Sequence, residues 1–389
     1  MSRADVDGRI PLFRAVVSPA SRERLLATLD SGWLGYGPEC RLLERHFTEA
    51  RGGWALATSS CTSSLYLAGR LVRMLAAEAA PEIIIPSVTF VASGMAFAQA
   101  GLRTVIAAVR PDTLLLDAEA AARALTPRTR ALLVVHLYGQ RHPELPALRA
   151  FADAHSLLLI EDCAHRVDLL DDNAPVGDLL CYSFNAVKEL PGGEGGVLWG
   201  RDLRNEDWIR AVSNLGLTVD TMQRAATASH ADYTWLQEPG LKLRSNDLAA
   251  ALVNGAIPSL AATRALRREQ VRRYDRWLAP LAPMTRPLRR SDDDSFLMYV
   301  VKVAPAARDE VRAAMAAAGV ATSVHYPSLA HHPLLGDPRP GAACADQDAA
   351  VVTLPTFLDL GCDAQQRVVD ALAHALEPQC ARPSARAAD

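Results

Sequence analysis

Only three lysines, Lys188, Lys242 and Lys302, stand against 38 arginines among the 41 cationic residues of this 389-residue chain. A tilt of that size points to a coding bias that replaces Lys wherever any cation serves. A lysine that remains therefore asks for a reason. Its amine can lose a proton and add to an aldehyde to give a Schiff base, whereas a guanidinium stays charged and inert. Lys188 lies in Ser183-Phe184-Asn185-Ala186-Val187-Lys188-Glu189-Leu190-Pro191-Gly192-Gly193-Glu194-Gly195-Gly196, where an apolar run gives way to glycines. We expect Lys188 to carry pyridoxal 5′-phosphate (PLP).

The groups such a cofactor needs can be sought upstream. Asp162 stands where an apolar strand turns polar, in Leu159-Ile160-Glu161-Asp162-Cys163-Ala164-His165. A carboxylate there can keep the pyridine nitrogen of PLP protonated, which lets the ring act as an electron sink. Alone it would read as a helix N-cap or a rim salt bridge. Its place 26 residues before Lys188, with a strand pattern between them, turns the reading toward the cofactor. His165 is placed to donate to the ring hydroxyl or cover a ring face, and equally to serve a structural role. Thr58-Ser59-Ser60-Cys61-Thr62-Ser63-Ser64 precedes a helical run with Leu65, Leu67, Leu71 and Leu75. Free N–H groups and hydroxyls at a helix start make a phosphate site, although one Ser or Thr would suffice for N-capping alone. Ser183 can add a hydroxyl from the neighbouring strand end. Phe90, in Val88-Thr89-Phe90-Val91-Ala92-Ser93, can stack on a flat ring, or simply be core. The Gly192–Gly196 stretch permits tight backbone beside the lysine but is no nucleotide loop, for the chain holds neither GxxxxGK nor GxGxxG.

These residues must be positioned by a sheet. Glu82–Pro86, Thr104–Val109, Arg130–Leu137 and Leu157–Asp162 read as buried strands, and Glu144–His155 has helical spacing. Strand–helix–strand units imply a parallel sheet with right-handed crossovers, whose ligands bind beyond the carboxyl ends of the strands. That logic gathers Phe90, Asp162 and the Ser183–Lys188 segment at one rim. A second unit is expected after a charged, solvated connector at Arg286–Asp294. It comprises a strand at Ser295–Val303, a helix at Ala307–Gly319, a strand at Ala321–Tyr326, a Pro/Gly-rich loop at His332–Gly341 and a helix around Ala364–Leu376. Pro378–Asp389 reads as a frayed tail.

Bulk properties narrow the function further. Half the residues are hydrophobic and 22% charged, as in ordinary globular proteins. A net charge of −3 offers no footprint for nucleic acid or an anionic membrane. Seven scattered cysteines (Cys40, Cys61, Cys163, Cys181, Cys344, Cys362, Cys380) make no CxxC pair or zinc cluster, which suits a reduced cytoplasm and argues against a structural metal. No apolar run approaches a membrane span, and Met1–Ala20 lacks a signal-peptide pattern.

The order of these motifs resembles the DegT/DnrJ family of sugar aminotransferases, PLP enzymes of the aspartate-aminotransferase fold (fold type I). The similarity runs from Ser31-Gly32-Trp33-Leu34-Gly35-Tyr36-Gly37-Pro38 through Thr89–Ser93, Val135-His136-Leu137-Tyr138-Gly139 and Glu161–His165, and is clearest at Ser183–Gly196. It implies an α/β fold with a large PLP-binding domain over residues 1–255, whose first segment packs on the other domain, and a small C-terminal α/β domain over 256–389. It implies that Lys188 bears the cofactor, Asp162 partners its ring nitrogen, Ser183 binds its phosphate and Phe90 stacks on the ring, with Cys61-Thr62 at the phosphate-binding helix start. Family sites lie at a dimer interface, where a segment like Gly240-Leu241-Lys242-Leu243-Arg244-Ser245-Asn246-Asp247 comes from the other subunit. Three features depart from the pattern. Ser60-Cys61-Thr62 stands for Ser-Gly-Thr, and keeps the backbone N–H. Lys242 stands for an asparagine and can face the cofactor phosphate as a point charge. Asp171–Asp178 is short, and Val167-Asp168-Leu169 replaces small residues.

The expected activity is transfer of an amino group from glutamate or glutamine to a keto sugar, such as a nucleotide-linked keto-deoxysugar in amino-sugar or antibiotic biosynthesis. A ketocyclitol is the alternative acceptor. A PLP-dependent dehydratase fits less well, because related dehydratases replace the lysine that is present here. The rival of another class is a PLP-binding regulatory protein without turnover.

Overall fold

The computed structural model describes residues 8–169, 176–220, 224, 233–282, 284–335, 337–338 and 349–380. Its strands are β1 (Trp54–Thr58), β2 (Glu82–Pro86), β3 (Arg103–Ala107), β4 (Thr129–Val135), β5 (Leu158–Cys163), β6 (Leu179–Ser183), β7 (Gly196–Gly200), β8 (Arg286–Pro287), β9 (Tyr299–Lys302), β10 (Asp337–Pro338) and β11 (Val351–Leu354). The helices that matter below are α1 (Pro19–Ser31), α2 (Pro38–Arg51), α3 (Cys61–Leu75), α4 (Ala92–Gln99), α5 (Ala118–Ala124), α6 (Leu145–Ala154), α7 (Glu206–Val212), α8 (Asp247–Ala256), α9 (Leu260–Leu278), α10 (Arg308–Ala317) and α11 (Cys362–Cys380).

The large sheet runs β1-β7-β6-β5-β4-β2-β3-β10, parallel throughout except for β7, which is antiparallel to both neighbours. Its strands are apolar on both faces because both faces are covered. Ile83 and Ile85 of β2 point into a core with Leu65, Leu71 and Phe97 from α3 and α4. Ile84, between them, meets Ala121 and Leu148 from α5 and α6 on the opposite side. Over β1, β6 and β7 that opposite side is filled by Phe47 of α2 and Val253 of α8.

The four strands expected in the large sheet form within two residues of their anticipated limits. A second, three-stranded sheet, β11-β9-β8, is antiparallel. Around it a separate core joins Val271, Tyr274 and Leu278 of α9 to Val311 and Met315 of α10 and to Val368, Leu372 and Leu376 of α11. Ile10 belongs to this core, and it bridges Val320 in parallel. Helix α9 reaches from the large sheet, where Leu260 packs, to this core.

Several sequence expectations need correction here. Ala321–Tyr326 is not a strand: Ala321 donates its N–H to Ile10 while Ser323 pairs with Thr353, so two different neighbours prevent a continuous ladder. The strand anticipated at Ser295–Val303 shortens to Tyr299–Lys302. The Arg286–Asp294 connector is not simply solvated, for Leu288 and Asp294 are buried and Arg286–Pro287 pairs with β9. The last helix continues to Cys380, into the segment read as a frayed tail, whose residues 381–389 lie outside the described residues. Within the His332–Gly341 loop, Asp337–Pro338 joins the large sheet beside β3. Residues 336 and 339–341 of that loop, and 171–175 of the shortened segment, lie outside the described residues.

Candidate active site

The carboxyl ends of β4, β5 and β6 and the start of α3 converge on Asp162. This residue is the penultimate one of β5 and is buried. Its Oδ2 accepts the Ser93 hydroxyl at 2.7 Å, and its Oδ1 accepts the Ala164 N–H at 3.0 Å. The Cys61 thiol lies 3.8 Å from Oδ1. Burial pushes the Asp162 carboxyl above its ordinary range, and the Ser93 hydrogen bond, the Ala164 N–H and the Lys188 ammonium pull the other way.

Lys188 stands on the turn that links β6 to β7. Four backbone bonds set that turn: Phe184 to Gly195, Ala186 to Gly193, Gly192 to Phe184 and Lys188 to Asn185, each N–H donating to the second residue's carbonyl. Two of its glycines, Gly193 at φ +80° and Gly195 at φ +152°, adopt backbone that L side chains rarely take. The next residue, Glu189, is fixed by the Arg264 guanidinium at 2.9 Å and by the Val167 N–H at 2.5 Å. Burial lowers the Lys188 amine below its ordinary value, opposed by the nearby Asp162, Cys61 and Glu194. The unprotonated amine is the form that adds to an aldehyde, and a lowered pKa favours it.

Helix α3 starts directly after β1. Ser60 caps it, its Oγ accepting from the Ser63 N–H, while Thr58 bonds Ser64 and Ser59 bonds Ser63 through their hydroxyls. The hydroxyl cluster thus spends much of its capacity on the helix itself. The N–H groups of Cys61 and Thr62 occupy the first two helical positions, where no preceding turn offers an acceptor. β7 presses on this start: a Cβ on Gly196 would sit 2.6 Å from the Ser60 carbonyl carbon and 2.7 Å from the Cys61 nitrogen. Ser183 pairs with Gly196 across β6 and β7 and is buried at the same rim.

His165 is buried. Its Nδ1 accepts the Tyr138 N–H at 3.0 Å, so the ring proton sits on Nε2, which faces the Tyr326 hydroxyl at 3.2 Å. Burial drives this imidazole well below its ordinary pKa, with Lys188 and His325 adding to the effect. His165 therefore stays neutral. Phe90 is not a core residue; it is 51% exposed, and its ring lies 5.5 Å from that of Tyr326. Lys242 is exposed, on a segment tied to the α3 start: Ser59 donates its N–H to Leu243 at 2.7 Å, and Thr58 bridges Arg244.

The rim thus collects Cys61, Thr62, Asp162, His165, Ser183 and Lys188 from three distant segments. Sequence reasoning missed Ser93, although it lies in the Thr89–Ser93 motif four residues from Thr89, at helical spacing. It also missed Tyr326, for which the sequence carries no local signal. The donor set suits PLP on three counts. Asp162 is a buried acid whose burial cost awaits a cationic partner, the α3 start offers unspent N–H groups to an anion, and Lys188 supplies the amine.

Fold and rim together define a PLP-dependent transferase of fold type I, an α/β enzyme built on a mostly parallel sheet. Residues 17–373 match the model of the DegT/DnrJ/EryC1/StrS aminotransferase family. Over 336 residues the chain is 31% identical to a dTDP-4-dehydro-2,3,6-trideoxy-D-glucose 4-aminotransferase of Saccharopolyspora spinosa, covering 84% of this chain and 86% of that protein. Over 334 residues it is 29% identical to the spore coat polysaccharide biosynthesis protein SpsC of Bacillus subtilis, covering 83% and 85%. The crystal structure of the aminotransferase TlmJ from Streptoalloteichus hindustanus superposes with a TM-score of 0.84 at 27% identity, covering 96% of this chain and all of that one. The chain belongs to the DegT/DnrJ/EryC1/StrS aminotransferase family.

Proposed function

We propose that the protein moves an amino group from glutamate or glutamine to a keto sugar, and that its acceptor is a nucleotide-linked keto-deoxysugar. The observation that carries this reading is the Lys188 amine, its pKa lowered by burial, beside the buried Asp162 at the strand ends of the family's fold. The relative that acts on a dTDP-linked keto-deoxysugar supports the choice of acceptor. Bound PLP supplies an electron sink for the carbon that gains or loses the amine. Lys188 Nζ then accepts and returns a proton at that carbon, for which its lowered pKa suits it. Asp162 holds the ring-nitrogen proton. Cys61 and Thr62 N–H groups with the Ser183 hydroxyl bind the phosphate, and Phe90 covers the ring face. His165, fixed as the Nε2–H tautomer, donates rather than accepts at the pocket wall.

The active unit in this reading is a homodimer with shared sites, Lys242 reaching the phosphate bound by the partner. Support comes from the apolar surface around Lys242, where Leu215, Tyr233, Trp235 and Leu241 are all exposed, Trp235 at 64%. The unit 1–255 would hold the cofactor, and 256–389 would form the smaller domain, with Ile10 packing on it. A cytoplasmic location fits the free thiols of Cys40, Cys61, Cys163, Cys181 and Cys362. No helix among the described residues is long and apolar enough to cross a membrane, and we assign neither nucleic acid nor membrane as a partner.

A spectral screen tests the activity. The visible band of the PLP-loaded protein should convert to the aminated form of the cofactor with glutamate or glutamine, and a keto-sugar nucleotide should restore it. Restoration by a ketocyclitol alone would move the acceptor class. No conversion with any donor would reject turnover and leave a PLP-binding regulatory protein.

A further inference from the structure

A buried carboxylate that must stay anionic and aimed at one atom needs its own donors, and the structure shows where they come from. Ser93, in the first turn of α4, has one hydroxyl proton and two oxygen neighbours. These are Asp162 Oδ2 at 2.7 Å and the Thr89 hydroxyl at 2.9 Å. The carboxylate is the stronger acceptor, so Ser93 donates to Asp162 and Thr89 donates to Ser93. All three side chains are buried, Thr89 and Ser93 each at 1% exposure. Bulk solvent does not reach the Ser93 hydroxyl. The second oxygen, Oδ1, takes the Ala164 N–H, and the Cys61 thiol beside it divides its single proton between Oδ1 and the Cys181 carbonyl at 3.5 Å.

We propose that Thr89 and Ser93 form a two-hydroxyl relay that keeps Asp162 ionised and turned toward the cofactor's ring nitrogen, making Ser93 a positioning residue of the reaction. This inference rests on the assignment of Asp162 as the ring-nitrogen partner. Of the contacts that oppose the burial of Asp162, the Ser93 bond ranks first, ahead of the Ala164 N–H, Lys188 and His136. The other titratable groups facing Asp162 from the packed elements are Cys61 of α3, Cys181 of β6 and Tyr326. Burial raises the pKa of each of these three, so all remain neutral around pH 7 and add no charge beside Asp162.

The test compares PLP dissociation constants of wild type, Ser93→Ala, Ser93→Thr, Thr89→Val and Asp162→Asn from pH 5 to pH 9, with the absorption of the bound cofactor and kcat and KM recorded alongside. Titrations of free PLP are common to all five proteins. Ser93→Ala should weaken PLP roughly tenfold near neutrality and more at acid pH. It should also move the acid limb of binding and of kcat upward by about 1 pH unit. Ser93→Thr should restore both. Thr89→Val, which breaks the relay one hydroxyl further out, should shift the limb the same way by less. An Asp162→Asn protein that is impaired beside a Ser93→Ala protein with wild-type affinity and limb would overturn the relay alone. A pH-independent loss in Ser93→Ala that Ser93→Thr leaves uncorrected would also overturn it. Wild-type binding and turnover in Asp162→Asn would instead reject the underlying role of Asp162.

Discussion

Adding one methyl group at Gly196 should damage the cofactor site from behind. The residue ends the glycine-rich turn and opens β7, with its backbone against the first turn of α3. A Cβ there would meet three backbone atoms: the Ser60 carbonyl carbon at 2.6 Å, the Cys61 nitrogen at 2.7 Å and the Tyr182 oxygen at 2.7 Å. Ordinary contact begins at 3.4 Å, so the Cys61 nitrogen must move by about 0.7 Å, and no flexible side chain is present to absorb the shift. That nitrogen carries one of the N–H groups assigned to the phosphate. Overpacking of this kind costs about 1–3 kcal/mol of stability. Loss of one charge-assisted hydrogen bond, at about 1.5–3 kcal/mol, weakens binding by roughly tenfold to a hundredfold. Gly196→Ala should therefore raise the PLP dissociation constant by that factor in fluorescence or absorbance titrations and lower the melting temperature of the apoprotein. Gly361→Ala is the control, since nothing lies within 4 Å of a Cβ at that position. If Gly196→Ala bound PLP like wild type, the helix start would not be the phosphate site and the reasoning would fail.

Borohydride reduction of the loaded protein should fix the cofactor on Lys188 in peptide mapping, and Lys188→Arg should abolish the link; a reduced adduct on Lys242 or Lys302 would displace the assignment. Glu189→Ala should destabilise the protein by about 1–3 kcal/mol in urea unfolding, because it removes the buried carboxylate that accepts from the Arg264 guanidinium and the Val167 N–H. A change below 1 kcal/mol would show that the pair anchors nothing. Acid should weaken the fold through His142 and His325, which burial lowers to about 3 and about 4 from 6.5. Because the folded state keeps both neutral, their stability contribution is full above pH 6.5. It drains as pH falls toward those values, by roughly 1.4 kcal/mol per pH unit for each. Urea midpoints at pH 7.5 and 5.5 measure this, and double His→Gln substitution should flatten the difference. Mixing inactive Lys188→Ala with inactive Lys242→Ala protein should restore partial activity through one intact shared site; hybrid dimers that form and stay inactive would remove Lys242 from the partner's site.

The legible part of this protein was the part written in short contiguous signals. Apolar runs with polar ends marked β2, β4 and β5, because strands covered on both faces have little freedom in composition. Lys188 stood out by rarity, and Asp162 by its position at a strand end. What escaped depends on side chains meeting across the fold. Tyr326 reaches His165 from 161 residues away, and no local pattern announces it. Ala321–Tyr326 carries strand-like residues yet makes no ladder, since its neighbours are Ile10 on one side and Thr353 on the other. The hydroxyl cluster at Thr58–Ser64 was read for the phosphate, but much of it is spent on capping α3, so backbone N–H groups carry more of that role than composition suggested.

The pairing of Ile10 with Val320 has a consequence for how the chain is made. Ile10 is among the first described residues to leave the ribosome, yet its core is completed by Val368, Leu372 and Leu376 of α11. The seven main strands of the large sheet, from Trp54 to Gly200, can pair and bury their faces while synthesis continues. The amino-terminal segment cannot finish until about 310 more residues have followed it and the loop to Val320 closes, a step whose entropy rises only slowly with length but whose timing is set by translation. During that interval Ile10 is an apolar side chain without its site, and the second core closes over it once α11 has been made.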